Sequence, residues 1–282
     1  MLVENDTAIM KNTKICFIGG GNMAGSLIAG LLADGYPSEL LSVAEPSAEQ
    51  RERLGSRFSV EIMTENASAA AGADVVVLAV KPQRMKEAAG AIGPLSPAPL
   101  FVTVAAGIRI ADLRGWLGGA EAVVRAMPNT PALLGAGVTA LYAGPDVSRD
   151  RRELAEGILR AAGAVVWVDD ESLMDAVTAL SGSGPAYFFL LMEIIAATGV
   201  EMGLGPEASR LLTQETAIGA ARMALEADID VAELRRRVTS PGGTTEAALN
   251  AMHDAGLPAI VRSAILAARD RSRELAAEAG AE

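Results

Sequence analysis

The feature that most constrains this chain is the run Cys16-Phe17-Ile18-Gly19-Gly20-Gly21-Asn22-Met23-Ala24-Gly25. In it an apolar, strand-like segment passes through three glycines directly into a helix-like one. A turn of this kind opens the first strand-helix unit of a parallel α/β sheet. Gly19 permits the tight turn, Gly21 lets backbone come close to a pyrophosphate, and Ala24 lets helix and strand pack closely. The helix N terminus that follows offers free N–H groups and a positive dipole. A bare match to G-x-G-x-x-A serves equally as a tight connection, but the strand before it and the helix after it point to dinucleotide binding.

The rest of the first half supports that setting. Short Val- and Ile-rich runs at 14–18, 40–44, 74–80, 100–104, 122–126, 137–142 and 164–168 predict strands, with helix-length segments such as 23–34 and 48–54 between them. Pro94, Pro97 and Pro99 predict a turn ahead of 100–104. After residue 168 the character changes. Asp169, Asp170, Glu171 and Ser172 offer an N-cap and first-turn acids, and no convincing strand follows. The expected organisation is a tail over 1–13, a Rossmann-type doubly wound sheet over 14–168 and an all-α domain over 169–282. Within the latter, 185–202 is apolar on nearly every helical face (Tyr187, Phe188, Phe189, Leu190, Leu191, Met192, Ile194, Ile195), and a helix tolerates this only when covered on all sides. A helical domain of this size rarely achieves that alone, so a second subunit is expected to cover part of it. Segments 207–225, 231–238, 245–255 and 257–279 keep amphipathic helical spacing.

Composition narrows the function classes. Lys+Arg 24 against Asp+Glu 35 gives a net charge of −11, which repels phosphate backbones and argues against nucleic acid as a partner. Half the residues are apolar, which excludes a disordered chain. Cys16 and His253 are the sole residues of their types, so neither an internal disulfide nor a structural zinc site is expected, and the chain suits a reducing cytoplasm. The apolar stretch 186–200 is interrupted by Glu193 and falls short of the roughly 20 residues that a bilayer crossing needs. Glu4 and Asp6 in the opening segment do not suit a signal peptide. The expectation is a soluble cytoplasmic protein with no membrane partner.

Several residues fall at the carboxyl ends of predicted strands, where open α/β sheets bind ligands. Glu45 ends the second strand; a carboxylate there accepts a hydrogen bond from a ribose 2′-OH and repels a 2′-phosphate, although it could equally be a surface acid. Lys81 and Pro82 end the next long strand, the small residues Ala105, Ala106 and Gly107 leave room for a flat ring, and Arg125 to Pro131 form a stiff polar turn. In the helical half, Ser181-Gly182-Ser183-Gly184-Pro185 opens the apolar helix and Ser240-Pro241-Gly242-Gly243-Thr244-Thr245-Glu246 opens a later one. The second of these, a Gly-Gly turn feeding a helix N terminus beside hydroxyls, suits a carboxylate, although plain N-caps have the same composition. Cys16, Trp116 and Trp167 read as packing residues, and His253 as a surface or interface residue.

Taken together, FIGGGNMA at 17–24, AVKPQ at 79–83, MPNTPA at 127–132, SGSGPAYFF at 181–189 and RRVTSPGGTTEAAL at 236–249 give the chain a specific likeness. In their order and spacing it resembles the pyrroline-5-carboxylate reductases over nearly its whole length. The resemblance implies reduction of 1-pyrroline-5-carboxylate to L-proline with NADPH or NADH, and a helical domain that intertwines with its partner in a homodimer, with a decamer of five dimers known in the family. It implies that Ile18, Gly19, Gly20, Gly21, Asn22 and Met23 hold the pyrophosphate. It also implies that Asn66, Ala79, Val80, Lys81 and Pro82 would line the adenosine and nicotinamide region, with Ala105, Ala106 and Gly107 facing the ring; Glu45, by its place at the end of the second strand, is the candidate on the ribose side. It further implies that Ser240, Gly242, Gly243, Thr244 and Thr245 bind the substrate, with Thr245 on the pyrroline nitrogen, and that Glu171 stands near it. No metal is implied. Glu45 departs from the small polar residue that many members carry, which bears on the NADP(H) preference. Two other readings are a reductase of a related substrate on the same architecture, disfavoured because no lysine follows Lys86, and a non-catalytic NAD(P)H sensor.

Overall fold

The protein, as a computed structural model, is described over residues 12–281; the predicted tail lies outside the described residues up to position 11. The elements are β1 (Ile15–Ile18), α1 (Asn22–Ala33), β2 (Leu41–Ala44), α2 (Ala48–Gly55), β3 (Glu61–Met63), α3 (Asn66–Ala70), β4 (Val75–Leu78) and α4 (Met85–Gly90). There follow β5 (Leu100–Thr103), α5 (Ile110–Trp116), β6 (Val123–Met127), β7 (Gly137–Ala143), α6 (Arg149–Arg160), β8 (Gly163–Trp167) and α7 (Met174–Val177). The chain ends in α8 (Gly184–Glu201), α9 (Pro206–Glu226), α10 (Val231–Arg237), α11 (Thr244–Asp254) and α12 (Leu257–Ala281).

The strands build one sheet in the order β3-β2-β1-β4-β5-β6-β7-β8, parallel throughout except for the antiparallel pair β6 and β7. The central strands β1, β4 and β5 read as nearly unbroken apolar runs because both faces of the sheet are covered there. Ile15 and Phe17 point into a layer filled by Leu27, Ile28 and Leu31 of α1, Leu54 of α2 and Ile158 and Leu159 of α6. Cys16 and Ile18 point the other way, onto Ala69 and Ala70 of α3, Met85 and Ala89 of α4 and Leu113 of α5. Each such Leu or Ile contributes roughly 1.5–3 kcal/mol on burial, which offsets the entropy of ordering the chain.

All seven expected strands are present with ends shifted by a residue or two. β3 was not expected: it is three residues long, begins with exposed Glu61 and pairs only with β2, so it carries little apolar signal. The strand order reverses at β1, which lies between β2 and β4, and a crevice opens there at the carboxyl ends.

The chain forms two compact units, one running through Ser183 and resuming at Ala268, the other Gly184–Ala267. The expected boundary at 168/169 marks where strands give way to helices, but the compact division falls later. Residues 171–183 stay on the sheet unit because Glu171 pairs with Arg125, Ser181 accepts a hydrogen bond from Asn129 and Gly182 packs on Met127. The end of α12 belongs to the same unit: Ser272 donates to Asp175 at 2.7 Å, and Leu275 and Ala276 pack over Gly107.

In the helical unit α8 and α9 pack closely at Gly199, where a Cβ would overlap Ser209 Oγ, and that hydroxyl donates to the Ala196 carbonyl at 2.7 Å. The expected helix start at Ser181 is instead a π-helical turn, Thr178–Gly182, inside a continuous helical run. For that reason Glu171–Glu201 is, by length and composition, long and apolar enough to cross a membrane, which the count over 186–200 did not anticipate. Its apolar face stands open in the single chain: Phe188 is 64% exposed, Phe189 61% and Ile195 54%.

Two outcomes follow from this packing. A Cβ on Gly30 of α1 would overlap the carbonyl oxygen of Ala161 after α6. Gly30→Ala is therefore expected to lose about 1–3 kcal/mol of stability in urea unfolding, and an unchanged midpoint would contradict this helix contact. Burial pushes the Cys16 thiol up to about 12, so it stays protonated, and a disulfide reagent at neutral pH is expected to label it only after unfolding.

Candidate active site

The crevice beside β1 is a groove of about 520 Å³. Three backbone bonds fix its floor: Gly19 N–H donates to Ala44 O at 2.8 Å, Ala79 N–H to Ile18 O at 2.8 Å, and Val104 N–H to Leu78 O at 3.2 Å. Gly19 has a φ of +95°, and a Cβ there would stand 2.9 Å from the Ala79 carbonyl oxygen, so only glycine lets the chain turn this close to β4. Gly21 is the reverse case. It is exposed, a Cβ there would meet nothing within 4 Å, and it forms the N-cap of α1 with no side-chain cap. The first N–H groups of α1 have no partner within the helix, and this end of the helix suits a phosphate.

The structure brings Ile18, Gly19, Gly21, Glu45, Asn66, Ala79, Val80 and Lys81 together around this groove. Gly20 lies beneath it, where a Cβ would overlap Leu54, and donates its N–H to Glu45 Oε2 at 2.9 Å. Asn22 and Met23 occupy the first turn of α1. Asn66 spends its side-chain N–H on the Ala88 carbonyl at 3.0 Å, which ties the β3–α3 turn to α4. Pro82 and Ala106 belong to a smaller cavity of about 150 Å³ with Lys86, Trp116 and Leu275. Ala105 and Gly107 are buried, the latter 3.6 Å from α12 backbone as measured from an added Cβ, so open space at this turn is confined to Ala106.

Glu171 accepts Ile110 N–H at 2.8 Å and an Arg125 Nη1 hydrogen bond at 3.2 Å through Oε1. Arg125 is 4% exposed on β6, and a charge in a buried strand requires such a partner. Glu171 is thus held in an ion pair across the sheet unit. A lone arginine within the apolar run Val123 to Met127 was the sequence signal that could have exposed it.

In the helical unit the Gly-rich turn before α11 is closed by Gly243 N–H donating to Ser240 O at 3.0 Å, with Gly242 at a φ of +72°. Gly242 N–H donates to Glu246 Oε2 at 2.7 Å, so this amide, expected to face a ligand, is already engaged. Glu246 lies at the third helical position, from which an acid reaches back to preceding N–H groups, and the sequence run Thr-Thr-Glu carried that signal. Gly243 caps α11 without a side-chain bond, which leaves the first-turn amides of Thr244 and Thr245 and their hydroxyls as the turn's open donors. Pro46, Thr64, Glu65, Arg84 and Glu87 also line the groove beside β1 and were not singled out from the sequence. Those at 64–65 follow the unrecognised β3, and Arg84 and Glu87 occupy the turn and helix after β4.

Comparison with known proteins places this geometry. Residues 171–275 match the family model for pyrroline-5-carboxylate reductase dimerisation, and residues 14–107 that for NADP oxidoreductase, coenzyme F420-dependent. The chain is 51% identical to pyrroline-5-carboxylate reductase of Pseudomonas aeruginosa over 272 residues, 96% of this chain and 100% of that one. It is 40% identical to the enzyme of Mycobacterium tuberculosis strain H37Rv, over 93% of this chain and 96% of the other. Among solved structures, a pyrroline-5-carboxylate reductase from Coxiella burnetii superposes with a TM-score of 0.88 at 42% identity, covering 94% of this chain and 98% of that one. The Plasmodium falciparum pyrroline carboxylate reductase with NADP bound gives 0.84 at 29% identity, covering 95% and 99%. The apolar face of α8 lies within the dimerisation match, so oligomerisation accounts for its exposure in the single chain. The chain belongs to the pyrroline-5-carboxylate reductase family, NAD(P)H-dependent oxidoreductases that reduce 1-pyrroline-5-carboxylate to L-proline.

Proposed function

We propose that, within this activity, the groove beside β1 takes the dinucleotide and the turn 240–245 takes the substrate. The observation that carries this reading is that both glycine-rich turns end at a helix N terminus without a side-chain cap, α1 after Gly21 and α11 after Gly243. Each supplies N–H groups and a positive dipole end to an anion. The pyrophosphate belongs at the amides that follow Gly21; the substrate carboxylate belongs at the amides of Thr244 and Thr245, with Ser240 beside them. The reduced nicotinamide supplies the hydride when bound.

The chain has little acid-base work to do. A protonated cyclic imine is already electrophilic, so orientation and exclusion of water matter more than a protein acid. Thr245 Oγ1 accepts a hydrogen bond from the iminium N–H and holds the ring; a hydroxyl of ordinary acidity is a poor proton donor, so the substrate arrives protonated or takes its proton from water. Glu171 stabilises the sheet unit through Arg125 rather than touching substrate. The oligomer is a homodimer built on the α8 face, with five dimers forming a decamer. The work is done in the cytoplasm, which accords with a single buried Cys16.

The test is oxidation of NADPH and, separately, of NADH by the purified protein with racemic pyrroline-5-carboxylate, with the product identified. Proline formation is expected, and cofactor oxidation without proline, or none with either cofactor, would contradict the reading. Thr245→Ala is expected to lower kcat/KM by about 10- to 1000-fold, with Thr245→Ser recovering most of it. Glu171→Gln is expected to lower stability by about 1–3 kcal/mol while leaving the substrate KM unchanged; a raised KM at unchanged stability would return Glu171 to the substrate. Light scattering on the eluted protein reports the oligomer, and a monomer would contradict the α8 interface.

A further inference from the structure

Glu45 ends β2 half-buried in the wall of the dinucleotide groove, and both of its carboxylate oxygens are held by backbone donors. Oε2 accepts the N–H of Gly20, within the glycine turn, and Oε1 accepts the N–H of Ser47, the N-cap residue of α2, each at 2.9 Å. Two converging backbone N–H groups form a small anion socket, and here the chain fills that socket with its own carboxylate. The guanidinium nearest in sequence does not compensate. Arg51 Nη1 donates to the carbonyl oxygens of Glu45 and Pro46 at 2.9 and 2.8 Å and is thereby directed at backbone.

A 2′-phosphate on the adenosine ribose would have to settle against a carboxylate already occupying the socket, with like charges opposed. A free 2′-OH is a donor, and a carboxylate carries about four lone-pair sites, of which two are used here. We propose that Glu45 acts as a resident anion that selects NADH over NADPH in this enzyme, by filling the socket a 2′-phosphate would need. The inference rests on the groove being the dinucleotide site, and it differs from the NADP named for the matched family model and for the Plasmodium relative.

The test is equilibrium titration of the full-length protein with NADH and with NADPH, followed by nicotinamide fluorescence, and with ADP-ribose and its 2′-phosphorylated form by calorimetry. Wild type is expected to bind the non-phosphorylated member of each pair more tightly by about tenfold or more. E45Q, of the same size but neutral, is expected to shrink that ratio by about tenfold, chiefly through tighter NADPH, and E45S to do the same with the side chain shortened. Equal or tighter binding of NADPH by wild type would overturn the inference, as would an unchanged ratio in both variants when their melting curves show them folded. Binding of neither dinucleotide would overturn the groove assignment and this inference together, whereas equal binding of both overturns this inference alone.

Discussion

The contact on which the rest depends is the approach of the first turn to β4. The main chain leaves β1 between β2 and β4 and turns so close to β4 that a Cβ on Gly19 would stand 2.9 Å from the Ala79 carbonyl oxygen, a space closed to any side chain. That approach delivers Gly21 and the start of α1 to the crevice where the strand order reverses. It also fixes the reach of every other group there: Glu45 is at the end of β2, Asn66 behind β3 and Lys81 behind β4, each delivered by a strand registered against its neighbour. The apolar cost of holding such a turn is met on both faces of the sheet, by the layers around Phe17 and Leu27 on one side and Ile18 and Met85 on the other.

Much of this was legible in the sequence because strands buried on both faces and Gly-rich turns leave strong local signals. Cys16 to Gly25 announced the turn, and seven of the eight strands stood out as Val- and Ile-rich runs. What was missed depends on contacts distant in sequence. Nothing local to Glu171 tells that it pairs with Arg125, 46 positions away, or that Asn66 donates to Ala88. The small residues Ala105 to Gly107 suggested space, yet Leu275 and Ala276 pack there, from a helix more than 160 residues on. The engaged N–H of Gly242 has a local signal, since Glu246 lies where a capping acid belongs, but the same run also offers the hydroxyls of Thr244 and Thr245, so its meaning is divided.

The helical half illustrates the opposite problem, a signal that is strong and open in meaning. An apolar run of this length satisfies the composition of a membrane span, of a buried core helix and of a subunit interface. Its exposure in the single chain excludes the second, and the match of 171–275 to a dimerisation family supports the third. The π-helical turn at Thr178–Gly182 explains why the helical run is longer than its sequence breaks suggested: Ser181 and Gly182 would start a helix elsewhere, but here the run widens by one residue and continues.

The central claim is that the glycine turn after β1 is the dinucleotide cradle. The most direct measurement is a crystal structure of the protein grown with NADH. The account predicts the pyrophosphate against the amides of Gly21, Asn22 and Met23, with the adenosine ribose hydroxyls at Glu45. A dinucleotide bound away from this turn, or lying in the groove with its pyrophosphate remote from the start of α1, would contradict it.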